Sequence, residues 1–440
     1  MTIIDGADFD AYWSDRAAPS DETQVTAVVT EIIEAVRREG DGAVRRFTAK
    51  FDRCSPRTPE IPRVAAEAAW EGLRHAEPEL AAALELAAAH IRNFAERQRA
   101  QITDFEYEIA PGLFTGQRVI PVERAAIYVP GGRFPLISSV LMGVIPAVTA
   151  GAGEVLLVSP PGADGFPDRR ILGAACLAGV NRIFAVGGAQ AVAALALGTE
   201  TIPRVDVIAG PGNKYVAAAK RLLFGAVGID LIAGPTDVLV ITDEPASGAA
   251  EAAADLTAAD MLAQAEHDPD ARARVLVPSR EAANRIAAAL ERRLAALPAA
   301  AGDRARPSLD AGGLMVVYDT REGAIRIANR IAPEHLELQV AEPSLWMGAL
   351  ENYGSLFIGS LAAEVLGDYS AGINHTLPTA GSARFTGGLS VRHFLKTPTT
   401  LRCGAGTGYD EARAAAERIA RAEGLFSHAA SAASRARDRG

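Results

Sequence analysis

Cysteine is scarce: Cys54, Cys176 and Cys403 are the only three in 440 residues, and no CxxC or CxxH spacing joins them. Neither a disulfide framework nor a thiolate zinc centre is indicated. Cys176 lies in the apolar stretch ILGAACLAGV, where a thiol packs as a small hydrophobe rather than acting as a nucleophile. Long hydrophobic runs are missing as well, so no segment approaches the roughly 18 apolar residues of a membrane span. The opening MTIIDGADFDAYWSDR carries acids where a secretory signal needs a basic start and an apolar stretch, which points to a cytoplasmic protein. Basic clusters are absent too. The net charge is −10 and the arginines alternate with acids, as in Arg280 to Arg293, so nucleic acid is not an expected partner. No GxGxxG follows an apolar strand. GAGTG at Gly404–Gly408 comes near it by letter, but it follows Cys403 in a loop and reads as a linker.

What is present is core material: 49% hydrophobic residues and 41 glycines. Single cores stop growing at about 250–300 residues, so the chain divides into at least two domains. Val25 to Phe51 reads as one amphipathic helix, with Val28, Ile32, Ile33 and Val36 at helical spacing, and Ala65 to Arg99 as a second helical region. From Ala125 onward, strand-length apolar runs (AAIYVP, EVLLVSP, NRIFAVGG, VDVIAGPG) alternate with helical ones, the pattern of βαβ units on a parallel sheet. A second such series begins at VLVIT (Val238 to Thr242) and continues through RVLVP, LMVVY and LELQV. The tail from Gly387 reads as mainly helical and too small for its own core, so it must pack on another domain or subunit.

Parallel sheets offer ligands the carboxyl ends of their strands, where glycine-rich turns let backbone N–H groups approach phosphates. Four such turns occur: VPGGRFP (Val129–Pro135), GGAQA (Gly187–Ala191), AGPGNKY (Ala209–Tyr215) and AGPTD (Ala233–Asp237). One alone is an ordinary turn; several within about 110 residues point to a dinucleotide cleft. Five of the seven histidines fall from His267 onward. Gln264 and His267 are three apart near a helix end and share a face, although a histidine there more commonly caps the last carbonyls. Glu334 and His335 occupy a helix-to-strand junction in NRIAPEHLELQV. That placement suits two separate proton-handling roles, while a solvated loop dipeptide is the commoner meaning. GDYSAGINHTLPT carries Asp368, Asn374 and His375 in a polar loop.

Taken in order, YVPGGRFP, GGAQAVAALALGT, IPRVDVIAGPGNKYVAAAKR, AGPTDVLVI, DMLAQAEHDPDA, APEHLEL and GDYSAGINHTLPT resemble the histidinol dehydrogenase family, from about Asp21 to Arg435. The resemblance implies an α/β fold of two incomplete Rossmann-like domains with parallel sheets, and helical terminal segments exchanged in a homodimer with a shared active site. The implied division is an N-terminal segment 1–27, a first α/β domain of 28–126 together with 237–386, an NAD-binding domain 127–236, and a tail 387–440 reaching the partner's site. It implies two hydride transfers to NAD, from L-histidinol through L-histidinal to L-histidine. Tyr128, Gln190 and Asn213 fall on its NAD contacts, and Glu334 and His335 on its catalytic acid/base pair. Gln264, His267, Asp368 and His428 fall on its metal ligands, with zinc usual and manganese allowed by the donor types. Thr236, Gln264, His267, His335, Asp368, Glu423 and His428 fall on substrate contacts, Glu423 and His428 being offered to the partner.

The chain departs from the family's common pattern at Thr236 and Asp237, where serine and glutamate are usual, and at Arg133 after VPGG. With GGLSV (Gly387–Val391), these features also resemble relatives that oxidise 2,3-dihydroxypropane-1-sulfonate, for which Arg133 is a candidate anion contact or an exposed arginine. Two further classes compete. A metal-dependent hydrolase would leave the glycine-rich turns without a use, and a non-catalytic nucleotide-binding module would leave the acid/base and ligand positions without one.

Overall fold

Two six-stranded sheets organise the computed structural model, which describes residues 1–15, 23–54, 58–131, 135–243 and 248–436. The Tyr128 sheet runs, across its width, Gly228–Ile229, Val207–Ala209, Arg124–Tyr128, Glu154–Ser159, Arg182–Ala185 and Glu60–Ile61, with only the last pair antiparallel. The His335 sheet runs Thr2–Asp5, Leu314–Val317, Arg272–Val277, Asp237–Thr242, His335–Gln339 and Ser355–Ile358, parallel throughout. Setting aside the edge strands Glu60–Ile61 and Thr2–Asp5, each sheet has the spatial order third, second, first, fourth, fifth. That is the doubly wound order one strand short of six, so both units are incomplete Rossmann-like sheets in an α/β fold.

The strands are apolar because both faces are covered. In the Tyr128 sheet, Ala125, Ile127 and Leu157 face one core with Trp70, Leu84 and Ile91, while Ala126, Leu156 and Val158 face another with Val29, Ile32 and Val36. The His335 sheet is likewise covered by Ala250–His267, Arg280–Ala296 and Ala299–Gly312 on one face and by Phe9–Asp15 and Arg321–Ile331 on the other. Among the described residues no helix is long and apolar enough to cross a membrane.

Packing corrects three expectations. Residues 28–126 do not group with 237–386: the helices Thr23–Glu39, Asp41–Phe51, Arg63–Ala76 and Pro78–Ala100 bury their apolar stripes on the Tyr128 sheet. The single helix expected over Val25 to Phe51 is two, because Gly40 takes φ +52° and turns the chain between them. The tail is not mainly helical at its start. Leu395–Lys396 pairs with Ile120–Pro121, and Thr399–Cys403 joins the hairpin Phe105–Ala110 and Leu113–Gln117 in a three-stranded antiparallel sheet, before the helices Thr407–Ala422 and Phe426–Ala433. Arg402 reaches across that sheet to Glu106 at 2.5 Å. Arg133 lies outside the described residues.

In the Tyr128 sheet the chain order reverses between Arg124–Tyr128 and Val207–Ala209. Gly210 leaves the second of these at φ +111°, and a Cβ there would fall on the Tyr128 carbonyl oxygen. Lys220 holds the Gly210 carbonyl at 3.1 Å and pairs with Asp230, which accepts the Gly210 N–H at 2.7 Å. Gly210→Ala is expected to cost about 2–4 kcal/mol from its left-handed backbone and the lost close approach; a lower urea midpoint at unchanged m-value would register it.

Candidate active site

At the carboxyl end of the Tyr128 sheet, Tyr128 is buried and its hydroxyl accepts the Gly188 N–H at 3.1 Å. Burial pushes its phenol up to about 12, so it stays a neutral hydroxyl. The Gly188–Leu197 helix begins there, with Gln190 1% exposed and both of its amide atoms lacking a partner. A buried amide with no protein partner marks a place for a ligand's polar group. Asn213 caps the Lys214–Leu223 helix, its Oδ1 accepting the Tyr215 and Val216 N–H groups at 3.0 and 3.2 Å. Tyr128, Gln190 and Asn213 thus all lie at the carboxyl ends of strands; Tyr128 and Asn213 flank the reversal in strand order where doubly wound sheets bind nucleotides, and Gln190 follows the strand Arg182–Ala185 on the Tyr128 side of it.

The other half of the site lies at the amino ends of the His335 sheet. The Arg321–Ile331 helix ends at Ala332, a left-handed non-glycine at φ +51°, and Pro333 leads into Glu334 and the strand His335–Gln339. Next to it runs Asp237–Thr242, with Val238 opposite His335. The two strands exchange backbone-to-carboxylate bonds: Glu334 N–H donates to Asp237 Oδ1 at 3.0 Å, and Asp237 N–H to Glu334 Oε2 at 3.2 Å. Thr236 also donates its hydroxyl to Glu334 Oε2 at 2.5 Å, and Arg274 donates to Asp237 Oδ2 at 2.8 Å. Burial is the main cause that pushes the Glu334 carboxyl up to about 7.

His335 is buried, and its Nδ1 lies 3.4 Å from the Asp237 carbonyl. A carbonyl only accepts, so Nδ1 carries a proton and Nε2 is the basic nitrogen of the neutral ring. That Nε2 has no hydrogen-bond partner; Asp368 Oδ1 stands 3.3 Å away as an ion-pair neighbour. Burial favours the neutral ring, but the charge of Glu334, Asp368 and the charge of Glu364 outweigh it and raise the imidazole to about 10 in the isolated chain.

Gln264 and His267 lie one turn apart at the end of the Ala250–His267 helix. The Gln264 amide sits between Thr236 Oγ1, at 2.8 Å, and the two oxygens of Glu364, at 3.3 and 3.2 Å; both amide ends are satisfied when its nitrogen faces Glu364. His267 Nε2 is 3.9 Å from Asp368 Oδ2. The structure therefore brings together Thr236, Gln264, His267, Glu334, His335 and Asp368. Glu423 and His428 are not among them: both are exposed, at the end of the Thr407–Ala422 helix and on Phe426–Ala433. Among the described residues of one chain, no group of three or more His, Cys, Asp or Glu side chains is placed to hold a metal ion.

The two units touch through a helix of one and a loop of the other. Ser139 Oγ, on the Ile137–Ala150 helix, is 3.3 Å from His375 Nε2, and Asn374 donates to the Met142 carbonyl at 2.7 Å. A cavity of about 630 Å³ opens on the far side of Asp237, beside Trp13, Arg272, Arg274 and Arg384, and neither Glu334 nor His335 lines it.

Sequence reasoning missed the role of Asp237, which holds Glu334, Arg274, which holds Asp237, and the buried acids behind His335. Glu337 accepts the Glu364 N–H at 2.8 Å, and Gln339 donates to Glu337 and Asp260 at 2.8 and 2.7 Å. The available signal was the alternation in HLELQ, which puts His335, Glu337 and Gln339 on one face of an interior strand.

A nucleotide-type sheet reversal in one unit and a buried carboxylate with an imidazole in the other are the parts a nicotinamide-dependent dehydrogenase uses. The family model for histidinol dehydrogenase matches residues 15–436. The chain is 44% identical to the histidinol dehydrogenase of Methylococcus capsulatus over 97% of its own length and 94% of the relative's. It is 45% identical to that of Aquifex aeolicus, over 93% and 92%. The crystal structure of histidinol dehydrogenase from Elizabethkingia anophelis superposes with a TM-score of 0.88 at 33% identity, covering 97% of this chain and 95% of that one. The chain belongs to the histidinol dehydrogenase family.

Arg274→Leu, which strands Asp237 as a buried unpaired carboxylate, is expected to lower unfolding stability by about 3–5 kcal/mol. Combining it with Asp237→Asn, which keeps the acceptor for Glu334 N–H, should recover most of that loss in urea titrations. Simple addition of the two losses would mean that the pair is not coupled.

Proposed function

We propose that this chain oxidises L-histidinol through L-histidinal to L-histidine, the last steps of histidine biosynthesis, reducing two NAD per alcohol consumed. The carrying observation is the buried, unpartnered Nε2 of His335, beside Asp368 and next to the Glu334 carboxylate. Near-full-length identity to relatives named histidinol dehydrogenase supports histidinol over a sulfonated diol.

The work divides between two groups. His335 Nε2 accepts the hydroxyl proton as hydride passes from the carbinol carbon to the nicotinamide, giving the aldehyde, NADH and a proton. Glu334 takes a proton from water as the water oxygen adds to the aldehyde carbon and the protonated His335 returns its proton to the carbonyl oxygen; a second hydride transfer from the resulting hydrate, with His335 again taking a hydroxyl proton, gives the acid and the second NADH. Thr236 and the Asp237 N–H hold the Glu334 carboxylate in place for this. Tyr128, Gln190 and Asn213 are assigned to the cofactor, and Thr236 with His335 and Asp368 to the substrate.

The donor set also suits a divalent ion. Gln264, His267 and Asp368 supply an amide oxygen, an imidazole and a carboxylate without thiolate, which fits zinc or manganese. When bound there, the ion supplies positive charge that orients the alcohol and offsets the field of Asp368 on His335, favouring its neutral form. These three ligands are one short of a tetrahedral set, and His428 of the partner subunit is assigned as the fourth, with Glu423 of the partner subunit on the substrate. An exposed apolar surface supports the homodimer: Phe105, Tyr107 and Ile109 along one edge strand, Leu401 on the opposite edge strand of the same three-stranded sheet, and Ile419 and Phe426 on the tail.

Incubation with L-histidinol and NAD should yield two NADH per alcohol, and chelation of the metal should abolish it; turnover of dihydroxypropanesulfonate with none of histidinol would reassign the substrate. His335→Asn should suppress alcohol oxidation, while Glu334→Gln should mainly slow oxidation of added histidinal; equal, mild effects would defeat that division. Because the Glu334 carboxyl is raised, the aldehyde step should weaken as pH falls through about 7 and protonates it. In Glu334→Gln that acid limb should vanish from the histidinal rate profile.

A further inference from the structure

Glu364 has no part in the chemistry described so far, yet it is 0% exposed and both neighbours of its carboxylate belong to the site. It opens the short Glu364–Tyr369 helix, one turn before Asp368, so the two acids lie on one helix face. The His335 ring sits against both: Glu364 Oε2 is 3.9 Å from Nδ1, and Asp368 Oδ1 is 3.3 Å from Nε2. The same carboxylate lies 3.3 and 3.2 Å from the Gln264 amide. Its backbone is fixed in turn, its N–H donating to Glu337 Oε1 at 2.8 Å. No lysine or arginine pairs with it among the described residues, so it serves no ordinary structural ion pair.

We propose that Glu364 is a positioning residue that acts on both halves of the acid/base pair. By accepting from the Gln264 amide nitrogen, it turns the Gln264 oxygen away from itself and toward Thr236. Thr236 has one hydroxyl proton and two acceptors in reach, Gln264 and Glu334. With the Gln264 oxygen committed to a cation, that proton is left for Glu334. On the other side, Glu364 presents an acceptor oxygen 3.9 Å from Nδ1, which keeps the ring proton there and Nε2 open. This inference rests on the metal and acid/base assignments proposed above.

The test uses the full-length enzyme, stripped of metal and titrated with zinc against a chromophoric chelator, alongside steady-state oxidation of L-histidinol. Outer-shell partners of metal ligands typically contribute about 10–100-fold, so Glu364→Ala should weaken zinc binding and lower kcat by that range while the KM for NAD stays within about twofold. Glu364→Gln still offers an oxygen to Gln264, so its zinc affinity should hold within about threefold while kcat falls about tenfold or more. If Glu364 acts through Gln264, the double variant Gln264→Ala/Glu364→Ala should bind zinc no more weakly than Gln264→Ala alone. Additive losses in the double variant, or zinc affinity and kcat within about threefold of wild type for both single variants, overturn the proposal. Should Glu364→Ala not fold, the kcat of Glu364→Gln decides. A wild-type enzyme inactive on histidinol would overturn the substrate reading instead, and the zinc titrations would still decide the role of Glu364.

Discussion

The reciprocal bonds between Asp237 and Glu334 are the constraint on which the rest of the site depends. Each residue donates its backbone N–H to the other's carboxylate across adjacent parallel strands, so neither acid can rotate without breaking two contacts. Hydrogen bonds to charged groups contribute about 1.5–3 kcal/mol each, enough to fix a side-chain conformation firmly. Arg274 braces the far oxygen of Asp237 at 2.8 Å. Thr236 is carried into place because it precedes Asp237, His335 because it follows Glu334, and Gln264 because it rests on Thr236.

The placement of the two half-sites has an electrostatic logic. Helices in a doubly wound fold run antiparallel to their strands, so helix N-termini collect at the carboxyl ends of the strands and helix C-termini at the amino ends. N-termini carry partial positive charge and suit the pyrophosphate of a dinucleotide; C-termini carry partial negative charge and suit cations. Tyr128, Gln190 and Asn213 lie at the first kind of end, and Gln264 with His267 close the Ala250–His267 helix at the second. On the proposed reading, the general rule that ligands bind outside the carboxyl ends describes only the Tyr128 sheet, and in the His335 sheet the opposite end is used, where the acids Asp368 and Glu364 stand beside His335.

Much of the fold was legible because parallel strands covered on both faces read as unbroken apolar runs, and Asp237–Thr242, Arg272–Val277 and Arg280–Ala296 follow their patterns closely. Periodicity did not reveal which sheet a helix covers: the stripe of Val29, Ile32 and Val36 would fit either sheet, and only three-dimensional packing assigns it. The strands Phe105–Ala110 and Thr399–Cys403 were missed because they are exposed, and the half-buried Leu113–Gln117 between them because it lacks the apolar run that marked the other strands. In the site, Gln264 and His267 were visible through helical spacing. Their convergence with Asp368, 101 positions beyond His267, was visible only through the resemblance to a family, and Glu364 through neither. The polar face of HLELQ was the one local sign, since an interior parallel strand with His335, Glu337 and Gln339 in alternation leaves three polar groups needing partners.

Those groups have partners only because several acids share few protons. Burial and the nearby Asp260 charge push Glu337 up to about 8, and burial raises Glu364 well above a free carboxyl. Such a cluster is costly in a single chain, and an unpaired buried charge is usually neutralised or compensated. On the proposed reading the compensation is a divalent ion, and the chain alone offers it three ligands. The exposed tail helix carries His428 beside Phe426, which is 69% exposed, and covering an aromatic side chain of that size contributes about 1.5–3 kcal/mol. The association that covers this apolar surface would then also deliver the fourth ligand, so metal affinity and dimer stability would rise and fall together by mass action.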